Sequence, residues 1–489
     1  MAYITGLNRN QLILFPESLD EYISEENAVR VLDAFVNSLE LSDLGITKSS
    51  PSETGRPPYS PYDMLKLYVY GYMNRIRSSR RLETETTRNV EVMWLLEKLS
   101  PDHKTISRFR KDNAKALKGV FREFVKLCMR LGLYGRELAA IDGSKFKAVN
   151  SKDRNLSEKE INNRIKNLDS RIDEYMKQLD ETDTKEEISG KSEKTLDIGQ
   201  IVEKLKGRKE KYNGYLEEMK TAEETQKSLT DSDSRMMKTP SGFDVSYNVQ
   251  TSVDSKHKLI AEFKVTNCGN DMNQLSDMAS ATAEILEAPN ITVVADEGFN
   301  NASELAKCLQ NGIATQVSGS DGSICIPCAE NEAEEIVSHE NGRGVHIKER
   351  NIVICPMGQV MYPGSYKKST HQVRYYNGRA CAKCKCRCTD VKYRTFDIKM
   401  KKSEFSKEYD TENLHVKQVS IKTDAEITKI RKEIVEHPFG TVKRAMEADY
   451  LLTKGIENAT GEFSLVFLAY NLKRVINILG VKKLVSAMI

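Results

Sequence analysis

Residues 137–149 read Glu137-Leu138-Ala139-Ala140-Ile141-Asp142-Gly143-Ser144-Lys145-Phe146-Lys147-Ala148-Val149. After a long helical text the pattern changes here to a strand, with Asp-Gly at its centre. Downstream, residues 243–253 and 259–265 alternate polar and apolar with period two around a turn at 254–258, the pattern of a β-hairpin. A helix through Leu275, Met278, Ala281 and Ile285 then leads to Ile291-Thr292-Val293-Val294-Ala295-Asp296, a buried-type strand that ends on a carboxylate. A helix over 302–309 and a short strand over 314–317 complete an alternating α/β unit.

Upstream, residues 10–135 are helical and punctuated by turn residues. The stretch 49–61 holds four prolines and Gly55 and reads as an extended connector. It ends in a helix start, with Ser60 as N-cap, Pro61 at the first helical position and Asp63 in the first turn. That helix buries Met64, Leu67, Tyr68 and Tyr72 and ends in Arg75, Arg77, Arg80 and Arg81. A second basic helix begins near Asp102 and carries Arg108, Arg110 and Lys111 before an amphipathic run through Val120, Phe124, Leu127 and Leu131. Short helices with arginines between apolar anchors suit a helix-turn-helix-like DNA reader, because guanidinium groups pair with phosphates and base edges. A solvated helical bundle is the plainer reading of the same pattern.

Two insertions interrupt the α/β text. Ile161, Ile165, Leu168, Ile172, Tyr175 and Leu179 form a heptad seam, and after a polar break at Ser189-Gly190 a second seam runs through Ile198, Val202, Leu205, Tyr212, Leu216 and Met219. Together they predict a projecting helical hairpin over 157–230, its charges a solvated face. Residues 318–423 hold short strands, glycines and a cysteine cluster, and helical text, bent at Pro438, runs from Asp424 onward.

Hydrophobic residues make up 39% of the 489 and charged residues 30%, which allows a real core and excludes a membrane-embedded chain. No stretch approaches the ~20 apolar residues that span a bilayer, and residues 1–5 do not begin a signal peptide, so a cytoplasmic protein is expected. Lys+Arg 74 against Asp+Glu 71 leaves a net charge of +3, so local patches must decide whether a polyanion binds. The seven histidines form no HExxH pair, and no Walker loop supports ATP hydrolysis.

Strands ending in Asp142 and Asp296, and a later helix presenting Glu436, offer carboxylates from distant parts of the chain. Hard divalent ions such as Mg²⁺ take oxygen ligands of this kind, and a pair of such ions can activate an attacking oxygen and stabilise a leaving one in phosphodiester displacement.

Six segments carry a family resemblance, in order along the chain: Thr105-Ile106-Ser107-Arg108-Phe109-Arg110, Ile141-Asp142-Gly143-Ser144-Lys145, Tyr247-Asn248-Val249-Gln250, Ala295-Asp296-Glu297-Gly298-Phe299, Val435-Glu436-His437-Pro438-Phe439-Gly440 and Leu468-Ala469-Tyr470-Asn471-Leu472. With them the sequence resembles bacterial insertion-sequence transposases of the DDE type, in the branch with an N-terminal helical domain and a cysteine-bearing insertion before the last acid. The resemblance runs from Gly55-Arg56-Pro57-Pro58-Tyr59 to Asn471-Leu472-Lys473-Arg474.

The resemblance implies an RNase H-like α/β core, a mixed five-stranded sheet flanked by helices, beside an all-α N-terminal domain. It implies that Asp142, Asp296 and Glu436 form a triad that binds Mg²⁺ or Mn²⁺, and that Lys443, seven residues after the Glu, contacts DNA. It further implies that the helical region, with Arg75, Arg77, Arg80, Arg81, Arg108 and Arg110, binds the element's terminal inverted repeats, while the triad cleaves DNA and joins it to a target. A homodimer on double-stranded DNA is expected by analogy. The family's Arg four residues before the Glu is replaced by Lys432, with Arg431 beside it. Glu447 and Lys454 repeat the Glu-to-Lys spacing on nearly the same helical face, so spacing alone leaves Glu436 and Glu447 open. Asp233 and Arg235 fit either support of the site or a turn and cap.

Cys381-x-x-Cys384 with Cys388 and the distant Cys355 supplies four thiolates, enough for a structural Zn²⁺, with Cys325-x-x-Cys328 as a competing pair. The domain plan is then 1–135 helical and DNA-binding; 136–317 the first part of the catalytic core, with the 157–230 hairpin; 318–423 the cysteine-bearing insertion; and 424–489 the core's C-terminal helices. A DNA-binding relic that no longer cuts, and a nuclease that cuts without joining, are the rival readings.

Overall fold

The computed structural model describes residues 18–46, 58–189, 193–222, 224–336, 338–339 and 341–488, with side chains between 178 and 198 excepted. Most of the 49–61 connector, the seam positions Leu179 and Ile198, and Gly190 of the expected break lie outside the described part.

Along the chain come α1 (Ala28–Asn37), α2 (Pro61–Met73), α3 (Ser79–Arg88), α4 (Val90–Leu95), α5 (His103–Asp112) and α6 (Ala114–Arg130). There follow β1 (Leu138–Lys147), β2 (Asn155–Ser157), α7 (Glu158–Ser189), α8 (Glu193–Thr221), β3 (Gln226–Ser228), β4 (Arg235–Thr239), β5 (Gly242–Asp254), β6 (Ile260–Thr266), α9 (Leu275–Ile285), β7 (Thr292–Ala295), α10 (Ala302–Gln310) and β8 (Ala314–Val317). Next are β9 (Gly322–Cys328), β10 (Val345–Ile347), β11 (Ile352–Ile354), β12 (Val360–Lys367), β13 (Gln372–Tyr376), α11 (Gly378–Ala382), β14 (Thr395–Lys399) and β15 (His415–Ile421). The last are α12 (Ala425–Gly440), α13 (Ile456–Leu479) and α14 (Val481–Ser486).

These elements form two compact units. The first gathers the described residues of Met1–Tyr134, Pro438–Asp449 and Glu457–Ile489. Helix α2 starts as its sequence dictates: Tyr62 N donates to Ser60 Oγ at 3.2 Å, and Pro61 occupies a position whose missing N–H costs no bond. In α5 the backbone N–H groups of Lys104 and Thr105 donate to the Asp102 carboxylate at 2.9 and 3.1 Å. The sequence plan assigned 424–489 to the catalytic core; the structure instead places Pro438–Asp449 and Glu457–Ile489 with the N-terminal helices. The reason lies in α13, which buries Phe463, Leu465, Val466, Phe467 and Leu468 in succession and so needs neighbours on every side. One neighbour is close: a Cβ at Gly461 would lie 2.8 Å from the Ala114 carbonyl oxygen.

The second unit, Gly135–His437 with Tyr450–Ile456, is built on a mixed sheet. Its order is β4-β5-β1-β7-β8, with β6 also on β5. Strand β1 runs parallel to β7, and β7 to β8, while β5 is antiparallel to β1, β4 and β6. The expected sheet of five strands therefore gains a sixth. At 13 residues β5 is long enough for β6 to pair with Asn248–Val253 and β4 with Gly242–Ser246 along the edge opposite β1. Helix α9 packs on β5 and β6, and α10 on β8.

Helices α7 and α8 pack on each other as the expected hairpin, with Leu156, Ile161 and Met219 buried at its base beside the β2–β3 pair. The insertion holds an antiparallel sheet, β10-β11-β12-β13-β14, and a separate β9–β15 pair. Among the described residues no helix is long and apolar enough to cross a membrane.

Candidate active site

Asp142 and Asp296 meet through sheet register. The parallel pairing of β1 with β7 runs Leu138↔Thr292, Ala139↔Val293 and Ala140↔Val294. Two residues further on stand Asp142, inside β1, and Asp296, the first residue past β7. Beyond β7 the backbone turns, and Gly298 N donates to Asp296 Oδ1 at 3.0 Å. Gly143 N donates to Asp142 Oδ1 at 2.9 Å.

Burial pushes the Asp142 carboxyl up to about 6, the nearby Arg431 guanidinium opposes that rise, and the neighbouring Asp296 and Asp271 reinforce it. The Asp142 side chain is 24% exposed, so it retains access to solvent. Three carboxylates and one guanidinium thus share this end of the sheet.

Asp271 was not singled out in the sequence. It lies in the loop between β6 and α9, where an Asp after Asn270 reads as a turn residue. Asn248 Nδ2 donates to its Oδ1 at 2.7 Å, Gln250 Nε2 donates to the same oxygen, and Lys145 Nζ donates to Oδ2 at 3.3 Å. Backbone room is made by glycine. A Cβ at Gly143 would lie 2.5 Å from Asp271 Oδ1, and one at Gly298 would lie 3.0 Å from Asp296 Oδ1 and 3.9 Å from Asp271 Oδ2.

Helix α12 contributes Arg431, whose Nη1 is 3.8 Å from Asp142 Oδ1. Its neighbour Lys432 is exposed. Glu436 is exposed on the same helix, five residues on. Glu447 does not continue that face, because α12 ends at Gly440, a π-helical turn spans Thr441–Ala445, and Glu447 has a left-handed φ of 54°. Its carboxylate accepts from Arg75 Nη1 at 3.3 Å. Lys443 sits in the π-helical turn, so regular α-helix does not carry the seven-residue spacing from Glu436.

Among the described residues no three His, Cys, Asp or Glu side chains already stand in ligating geometry. The donor set nevertheless suits a hard cation. The acids are oxygen ligands, and the amide oxygens of Asn248 and Gln250 are buried without a hydrogen-bond partner beside Asp271.

Two family models match the chain: one described as "Transposase domain" over residues 17–112, and one described as "Transposase DDE domain" over 354–476. Both matched models are of transposase domains, and together they support a DDE transposase of the insertion-sequence type. Asp142 and Asp296 lie between the two matched stretches, and Glu436 lies inside the second. No curated protein matches. A cryo-EM structure of a piggyBac transposase synaptic complex with hairpin DNA aligns over 95% of this chain and 79% of that one, at 8% identity and a TM-score of 0.30. A likeness that low adds no weight to the assignment, which rests on the two family matches.

The arginines expected to meet DNA divide by burial. Arg80, Arg81 and Arg108 are exposed, and Arg108 lines a groove of about 410 Å³ with Lys104, Lys111, Ser79 and Ser107. Arg77 and Arg110 correct the expectation of DNA contact, because their guanidinium groups are used inside the helical unit. Arg77 Nη1 lies 3.6 Å from Glu462 Oε1, and its Nη2 donates to the Glu447 carbonyl at 2.9 Å. Arg110 Nη1 donates to Tyr72 Oη at 3.1 Å, and its guanidinium stacks over the Tyr68 ring. Arg75 is half exposed and paired with Glu447.

Asp233 and Arg235 take the turn-and-cap role. Ile456 N, at the start of α13, donates to Asp233 Oδ2 at 2.9 Å, and Arg235 pairs with Glu224.

Proposed function

We propose that this DDE transposase binds the terminal inverted repeats of an insertion sequence, cleaves DNA at those ends and joins the released 3′-hydroxyl to target DNA. The observation that carries the reading is the register of β1 and β7, which brings Asp142, inside β1, abreast of Asp296, just past β7. The strand order and directions, with β6-β5-β1-β7-β8 as the core and only β5 reversed, support an RNase H-like catalytic core.

Asp142, Asp296 and Glu436 would hold Mg²⁺ or Mn²⁺. A divalent cation bound there supplies Lewis-acid activation of an attacking oxygen and neutralises charge on the leaving one. The chain's own residues prepare that site. Arg431 offsets the negative charge of Asp142 while DNA is absent, and the clamp of Asn248, Gln250 and Lys145 fixes Asp271 at the wall. Arg80, Arg81, Arg108 and Lys443 are the proposed DNA contacts. Two ends must be cut together, so a homodimer on DNA is part of the proposal.

The test presents purified protein and Mn²⁺ with a labelled duplex from the DNA flanking its own gene, plus a target plasmid. Labelled DNA joined to plasmid is expected. End cleavage without joining would replace the reading with a nuclease, and binding without cleavage would replace it with a DNA-binding relic.

A further inference from the structure

Four of the ten cysteines surround one cavity in the insertion, and the transposase reaction does not use them. Cys355, Cys381, Cys384 and Cys388 line it together with Gln359, Met361, Arg387 and Thr389. Its volume is about 10 Å³, room for the centre of one small atom. Cys386, between two of the four, does not line it. Nor do Cys325 and Cys328: Cys325 is buried in a separate cluster with Ile352 and Ile354 and donates to the Pro356 carbonyl at 3.1 Å. The competition between the two cysteine pairs is thereby decided by position.

The turn Cys355-Pro356-Met357-Gly358 is already shaped around a sulfur. Gln359 N donates to Cys355 Sγ at 3.3 Å, and the Met357 backbone N–H also donates to it. Gly358 takes a left-handed φ of 70°, which closes the turn, and its N–H donates to the Cys355 carbonyl at 2.9 Å. Two amide donors on one buried sulfur favour a thiolate over a thiol, as charged acceptors gain more from such bonds. Without a cation, burial pushes the Cys355 thiol up to about 12, so the pocket as it stands does not charge that sulfur by itself. Cys381, on α11, and Cys384 are joined by a backbone bond from Cys384 N to the Cys381 carbonyl at 3.4 Å. The cavity's Arg387 and the nearby Arg394, which donates to the Cys388 carbonyl at 3.2 Å, add positive charge beside a set of thiolates.

We propose that Cys355, Cys381, Cys384 and Cys388 hold one structural Zn²⁺ in this cavity. Four soft thiolates with no open position select zinc over the hard ions that suit the acid site. The need is local. The apolar cluster beside the cavity consists of Val353, Cys355, Met357, Met361, Val373 and Tyr375, and residues 383–394 contain neither helix nor strand. An ion binding both parts ties that irregular segment to the β11–β12 turn, where apolar burial alone is small.

The experiment measures zinc by mass spectrometry in the full-length chain, purified with reductant and without chelator, and follows Co²⁺ uptake by absorption after zinc removal. About one zinc per chain, and the intense visible bands of tetrahedral thiolate-bound Co²⁺, are expected. Cys384→Ser should lose the metal, while Cys386→Ser and Cys328→Ser should keep it. Wild-type protein that contains no zinc and takes up no Co²⁺ would overturn the proposal, whether or not the variants fold. So would equal loss of metal from Cys384→Ser and Cys386→Ser, or a disulfide among the four in the native chain.

Discussion

Arg431 on α12 reaches Asp142 at the centre of β1, with 3.8 Å between Nη1 and Oδ1. The pair joins the helix that carries Glu436 to the strand that carries the first acid. Arg431 is also the main influence that holds the Asp142 carboxyl down against burial. Arg431→Ala should therefore raise the Asp142 titration above about 6 and move the pH at which half the protein binds Mn²⁺ upward. Metal titrations at a series of pH values check this; an unchanged midpoint would mean that the pair has no electrostatic role.

A second expectation concerns the metal-free protein. The Asp142 carboxyl, ordinarily at 3.8, is pushed up to about 6, so between those values the folded chain binds more protons than the unfolded chain. Its contribution to stability is fully present below 3.8 and is lost as pH rises through about 6. Urea unfolding across this window, with chelator present, should show the decline, and Asp142→Asn should flatten it relative to wild type.

Gly143 is predicted to tolerate no side chain. A Cβ there would come within 2.5 Å of both Asp271 Oδ1 and Gln250 Nε2. Gly143→Ala should cost about 1–3 kcal/mol in thermal or urea unfolding, the usual effect of forcing extra volume into a packed site. A change below ~0.5 kcal/mol would show that the Asp271 clamp yields easily.

These positions also show what could be read in advance. Asp142 and Asp296 could be picked out in the sequence because each directly follows an apolar run, residues 138–141 and 291–295, a local pattern of few residues. Asp271 was not, since a loop aspartate between a strand and a helix looks like any turn until Asn248 and Gln250 are seen to donate to it. Strand β4, Arg235-Met236-Met237-Lys238-Thr239, lacks clear alternation and forms because β5 is long enough to offer it an edge. Glu447 seemed to share the Glu436 face only while the helix was taken as continuous, and the π-helical turn removes that premise.

Arg77 and Arg110 looked like surface arginines from their helix-end positions, and their burial depends on Glu462, Tyr68 and Tyr72, which no local window contains. Arg77→Ala breaks a buried ion pair with Glu462, so a loss of about 3–5 kcal/mol is expected in unfolding experiments. Arg80→Ala and Arg81→Ala should leave the melting temperature nearly unchanged and weaken duplex binding, more so at low salt. DNA-binding and thermal-shift measurements on the same three variants separate the two roles.

The central claim is that Asp142 serves DNA cleavage. Its most direct test incubates wild type and Asp142→Asn with Mn²⁺ and a labelled duplex from the DNA flanking the gene, and resolves the strands on a denaturing gel. Cleavage at the element end by wild type and none by Asp142→Asn is expected, with both proteins binding the duplex equally. Cleavage at that end by both proteins at the same rate would contradict it.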